Sequence, residues 1–132
     1  MASNITPVQL EIKDFEVREV LMVDYKFNQA TDREGQISGI PRGGLVDVRV
    51  KAMNDGNNEL IQWMLDPAAP RDFEITYYNT VDGSIMKKLK GTCCYCIKYH
   101  EHWADNEEHY EHIQIVCQKL ENGPISYDNP WK

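Results

Sequence analysis

This chain has no long apolar run, no cationic leader and no excess of basic residues, and each absence removes a class of function. No segment approaches the roughly 20 apolar residues that a membrane-crossing helix needs, so membrane insertion is not expected. The first seven residues lack the positive charge and apolar stretch of a secretory signal peptide, so synthesis and folding in the cytoplasm are expected. Fourteen Lys and Arg stand against 21 Asp and Glu, a formal charge of −7. That balance repels phosphate backbones and excludes a nucleic-acid partner. The four cysteines, Cys93, Cys94, Cys96 and Cys117, are expected to be thiols in a reducing compartment. At 132 residues the chain can bury about two thirds of its unfolded surface, so it needs no disulfide staples.

What is present reads as one domain over residues 1–132, dominated by a period of two. Residues 8–12 alternate, and Asp14 offers a turn. A long second strand covers residues 15–27, with Val23, Tyr25 and Phe27 on one face. Residues 45–51 place Val46, Val48 and Val50 together, with Asp47, Arg49 and Lys51 opposite, the pattern of a half-buried strand. One helix is predicted over residues 58–66, capped by Asn57 or Asn58, apolar at Leu60, Ile61, Met64 and Leu65, and stopped by Pro67. Strands are predicted over 72–80 and from 84 to about 103, joined by a turn at 81–84, with Gly91 marking a bulge or bend. A last strand covers 109–120, followed by a polar tail. These elements predict a mainly β fold, a small antiparallel barrel or sandwich with one short flanking helix and a long extended loop.

That loop, residues 28–44, closes on Gly39-Ile-Pro-Arg-Gly-Gly44. So long a connection in a small domain is characteristically a lid, a binding loop or a contact arm. It carries no nucleophile beside a base and no metal-ligand set. The spacing Gly39, Gly43, Gly44 lacks the Gly-Lys-Ser/Thr ending of a phosphate loop and leads into a strand. Contact with another surface is therefore expected, not chemistry.

The chemical alternative is a monomeric barrel that binds zinc or a small ligand through the hairpin of Cys93, Cys94, Cys96, His100, His102, His109, His112 and Cys117. Cysteine and histidine suit zinc, and strict alternation would project Cys94, Cys96, His100 and His102 from one face. The paired spacings of structural zinc sites are absent, however. Cys94 and His102 also stand about 26 Å apart on an extended strand. Alternation would turn Cys93, Tyr95, Ile97 and Tyr99 inward and leave the histidines on a solvated tip among Glu101, Asp105, Glu107, Glu108 and Glu111. No metal, cofactor or catalytic residue is expected. Trp63 reads as core; Trp131 covers a barrel end or anchors a subunit interface.

The order of these pieces resembles the tube protein of type VI secretion systems, the Hcp or TssD family, in its Bacteroidetes version. The carriers are Tyr25-x-Phe27-x-Gln29, the polar loop, and Gly39-x-Pro-x-Gly-Gly-x-Val-x-Val48. Next come Trp63-Met-x-Asp-Pro67, Ile75-Thr-x-Tyr78, Cys96-x-x-Tyr99-x-Glu101-x-Trp103 and the C-terminal Trp131-Lys132. The resemblance runs from about Leu10 to the C-terminus. It implies a non-enzymatic β-barrel subunit that forms six-membered rings. These stack into a tube inside a contractile sheath, tipped by a spike protein. Sheath contraction would expel the tube without a signal peptide, and the lumen can hold effectors. Residues 28–44 would then touch the adjacent ring, with Ile37, Ile40 and Pro41 as apolar contacts and Arg42 as a polar tie. Gly39 belongs to the same contact loop, and Gly43 and Gly44 would permit the turn back into the strand. Bulky replacements at Gly43 and Gly44 are expected to block stacking and spare single rings.

Overall fold

The computed structural model describes residues 7–28, 31–37, 42–53, 55–66 and 68–129. Strands β1 (Val8–Ile12), β2 (Arg18–Asn28) and β3 (Arg42–Lys51) come first, followed by helix α1 (Glu59–Met64). Strands β4 (Arg71–Tyr78), β5 (Ile85–His102), β6 (Tyr110–Asn122) and β7 (Ile125–Asp128) complete the chain. All pairings are antiparallel, in the order β3-β2-β1-β4-β5-β6-β7, and β3 also pairs with β6. That last ladder closes six strands into a barrel and leaves β7 as an addition to β6. Closure removes most of the edges that an open sheet would expose.

The alternation in β3 behaves as the sequence predicts. Val46, Val48 and Val50 are fully buried, and Val46 and Val48 pair directly with Ile115 and Ile113 of β6. Leu10, Ile75, Leu89 and Leu120 fill the same interior. Asp14 makes its turn at φ 70, a conformation that Asp tolerates. Strand β2 starts later than predicted, at Arg18, and residues 15–17 lie outside it.

Helix α1 is shorter than predicted and turned differently. Leu60 and Trp63 are its buried residues, while Ile61 and Leu65 face outward, Leu65 at 72% exposure. Trp63 anchors it, packing edge-on against Phe15 and donating its indole N–H to the Ala69 carbonyl (3.0 Å). Asn58 holds the N-cap position without a side-chain bond. Asn57 does the capping instead: its Oδ1 accepts the Glu59 N–H (3.1 Å). Pro67 lies outside the described residues.

Strand β5 departs from strict alternation twice. Cys93 sits at φ 54, where the β4–β5 register slips by one between Phe73↔Gly91 and Arg71↔Cys94. A second slip against β6 falls between Cys96 and Lys98. Each irregularity flips the side-chain parity. Cys94 and Cys96 are therefore the buried residues, whereas Cys93 and Tyr95 are half-buried and Ile97 is exposed, the reverse of the sequence expectation. Gly91 borders the first of these bulges, as predicted, and has a packing role besides. A Cβ there would lie 2.3 Å from Phe73 Cε2 and 2.7 Å from Cys94 Sγ, so the glycine admits these two side chains to the core. The tail predicted after residue 120 is in part strand β7, entered through a turn at Gly123.

Candidate assembly surface

Between β2 and β3 the chain folds a small hairpin of its own. Thr31 and Ile37 form a bridge, and the Asp32 N–H donates to the Gln36 carbonyl (2.8 Å). The Asp32 carboxylate accepts the N–H groups of Glu34 (2.9 Å) and Gln36 (3.0 Å), with Gly35 at φ 81 completing the turn. Asp is suited to this because its short side chain reaches backbone donors two to four residues on. Every residue from 31 to 37 is exposed, Ile37 at 70%. The tip thus holds its shape by local hydrogen bonds and buries almost nothing against the barrel.

The base of this arm is fastened firmly. Arg42 and Gly43 pair through their backbones with Asn28 and Phe27. Gly44 is the extra residue where the β2–β3 register slips, at φ 84, the left-handed conformation that a glycine bulge requires. A Cβ at Gly44 would meet Asn129 Nδ2 at 3.0 Å and the Tyr127 ring at 3.3 Å. Asn129 is itself held by its Nδ2 on the Cys117 carbonyl (2.6 Å) and by the Tyr127 hydroxyl donating to its Oδ1 (2.9 Å). Phe27 packs on Tyr127, ring centroids 4.9 Å apart. Of the residues expected to form the contact loop, the structure therefore places Ile37 on the exposed tip and Gly44 inside the subunit. Gly39, Ile40, Pro41 and Trp131 lie outside the described residues. Tyr127 and Asn129, which brace the arm, sit in the stretch the sequence presents as a polar tail; the turn at Gly123-Pro124 followed by Ile125 and Tyr127 is the signal for β7.

The opposite end of the barrel carries the histidines. Register places Arg49, His112 and His100 side by side across β3, β6 and β5, with Lys51, Tyr110 and His102 in the next row. Each of three histidines meets a different carboxylate: His112 with Asp47 (3.1 Å), His109 with Glu101 (2.7 Å) and His102 with Glu107 (3.1 Å). Cys94, Cys96 and Cys117 point instead into the core. Strict alternation groups Cys94 and Cys96 with His100 and His102; the bulge between Cys96 and Lys98 separates them across the barrel wall. Among the described residues no three His, Cys, Asp or Glu side chains gather around one point. Burial pushes the Cys96 thiol up to about 11, the behaviour of an inert core thiol.

Beneath this surface lies a buried charge pair. Arg18 and Glu111 are 3% and 4% exposed and form an ion pair. Arg18 also donates to the Lys51 carbonyl (3.0 Å), and the Tyr99 hydroxyl donates to Glu111 Oε2 (2.6 Å). Burial, reinforced by the carboxylate it binds, raises the Tyr99 hydroxyl above its usual value and keeps it a donor. The group ties β2, β3, β5 and β6 together at one end of the barrel.

The subunit is thus a closed barrel with one flanking helix and an exposed arm braced at its base. The chain belongs to the TssD family, the hemolysin-coregulated protein Hcp, whose model matches residues 6–132. Its structure is similar to Hcp1 from Flavobacterium johnsoniae at 28% identity and a TM-score of 0.85, covering 92% of this chain and 98% of that one. Hcp1 from E. coli EAEC 042 shares the fold at 16% identity and TM-score 0.75, covering 96% and 100%. So does a chain of the sheath/tube terminator of an extracellular contractile injection system, PVC, at 14% identity and TM-score 0.62, covering 93% and 97%. No curated protein matches it by sequence.

Proposed function

We infer that this chain is a structural subunit of the type VI secretion tube, and the observation that carries the reading is the family match over residues 6–132. The likeness to Hcp1 over nearly the whole of both chains supports it. In the finer reading, the single domain assembles into six-membered rings that stack head to tail. Sheath contraction expels the stack with a spike protein at its tip, and the lumen can carry effectors. The subunit is made in the cytoplasm, leaves through the system itself and performs no catalysis. The arm at residues 31–37 is the natural stacking element, because an ordered, fully exposed hairpin gains burial only from another molecule. Heterologous contacts of this kind close into rings or extend into tubes. Ile37 supplies the apolar contact.

The test is secretion from the bacterium that encodes the chain. The protein is expected in the culture supernatant, and its export is expected to stop when the sheath subunit is deleted while its cytoplasmic level holds. Export that continues without a sheath would contradict the reading.

A further inference from the structure

Three of the four thiols face the core, and two of them meet. Cys94 of β5 and Cys117 of β6 are directly opposed in the ladder, and both are 0% exposed, so their side chains share the same stretch of core. Opposed residues of an antiparallel pair hold their Cα atoms about 4.5–5.5 Å apart. That interval lies within the roughly 4.4–6.8 Å that a disulfide spans. The other two cysteines are committed elsewhere. Cys96 is opposed by Ile115 and gives its thiol to the Lys98 carbonyl (3.3 Å). Cys93 is turned away at φ 54, its N–H on the Asp72 carboxylate (3.0 Å). All four are free thiols.

We propose that Cys94 and Cys117 are a latent redox pair: a small peroxide converts them into a cross-strand disulfide that locks β5 to β6. One thiol gives up its proton and attacks, as the thiolate, a peroxide oxygen; the O–O bond breaks, a sulfenic acid forms, and the departing hydroxide takes up that proton as one water. The sulfur of the second thiol then displaces hydroxide from the sulfenic sulfur, and the hydroxide leaves with the thiol proton as a second water. Two thiols lose two electrons in total, and one peroxide is reduced to two waters. The neighbouring Cys117 thiol and burial push the Cys94 thiol up, so the closed barrel holds Cys94 in its unreactive form. Reaction therefore follows local opening of the wall, and the pair is silent until the oxidant persists. This inference stands on the subunit alone and does not depend on how the chain assembles.

The test is intact-mass analysis of the native protein treated with hydrogen peroxide, with and without sub-denaturing urea, followed by peptide mapping. The expected product has lost two hydrogens, gained no oxygen and carries a Cys94–Cys117 cross-link. It forms faster in urea and reverts with a thiol reductant. The cross-link is expected to persist in Cys93→Ser and in the double variant Cys93→Ser with Cys96→Ala, where only the pair remains. Its oxidised form is expected to unfold at a higher urea midpoint than its reduced form. A product that gains oxygen only, a cross-link mapped to Cys93 or Cys96, or no cross-link in either condition would overturn the proposal.

Discussion

The β5–β6 wall and the β2–β3 arm are both antiparallel hairpins, yet they spend their residues in opposite ways. The wall buries one whole face: Cys94, Cys117, Ile113, Ile115 and Leu89 are 0% exposed. Both strands are paired again on their outer sides, β5 with β4 and β6 with β3 and β7. The arm buries nothing from residue 31 to 37 and keeps its shape with an Asp32 turn and one bridge. Tertiary packing holds the first, and local hydrogen bonding holds the second. A change in the wall should therefore cost folding, and a change at the arm tip should cost association alone. The residues at the join, Gly44 with Tyr127 and Asn129, belong energetically to the wall.

The largest loss is expected where the wall contains charge. Arg18→Ala removes the only cation paired with the buried Glu111 carboxylate among the described residues, which should cost about 3–5 kcal/mol. Urea denaturation reads this directly. Replacing both partners, Arg18→Met with Glu111→Leu, should recover most of the loss, and a double variant as unstable as the single would show that the pair is not what holds this end. Next comes Gly91→Val, which drives new carbon into Phe73 and Cys94 and should cost about 3 kcal/mol by overpacking. Gly44→Ala should be milder, about 1–2 kcal/mol, because it forces a Cβ into the left-handed region against Asn129 and Tyr127. Ile37→Asp should move stability by less than about 0.5 kcal/mol, as exposed substitutions do. It should nevertheless abolish stacking, seen by electron microscopy as single rings where the parent forms tubes. A melting transition lowered by Ile37→Asp would erase the contrast between arm and wall.

Gly44 changes how stacking should be tested. Bulky residues at Gly43 and Gly44 look from the sequence like a lesion of the ring-to-ring contact. Gly44 is buried against β7, so its replacement also weakens the subunit, and any loss of tubes would have two causes. Ile37 separates them.

The barrel was legible in the sequence where alternation ran unbroken. Val46, Val48 and Val50 declare β3 and its inward face, and the spacing of turn residues sets the hairpins. Alternation stops being informative at a bulge, and β5 has two, so the buried set shifts to Cys94 and Cys96 and the apparent grouping with His100 and His102 dissolves. Nothing local marks Gly91 as a packing glycine, since the ring that needs the space belongs to Phe73 on another strand. The two capping asparagines are adjacent and chemically identical, and only the backbone decides in favour of Asn57. Strand β7 is four residues long, too short for periodicity to reveal, although it braces the arm. The arm itself was visible as a long polar loop. That its tip is an ordered hairpin depends on the Asp32 carboxylate reaching two backbone donors, which composition does not disclose.

Native mass spectrometry of the purified chain tests the central claim most directly. A closed ring of six 15.3 kDa subunits, about 92 kDa, is the predicted species. It should persist in Ile37→Asp if the arm acts between rings, as proposed, and not within them. A protein that stays at 15.3 kDa at every concentration would contradict the account.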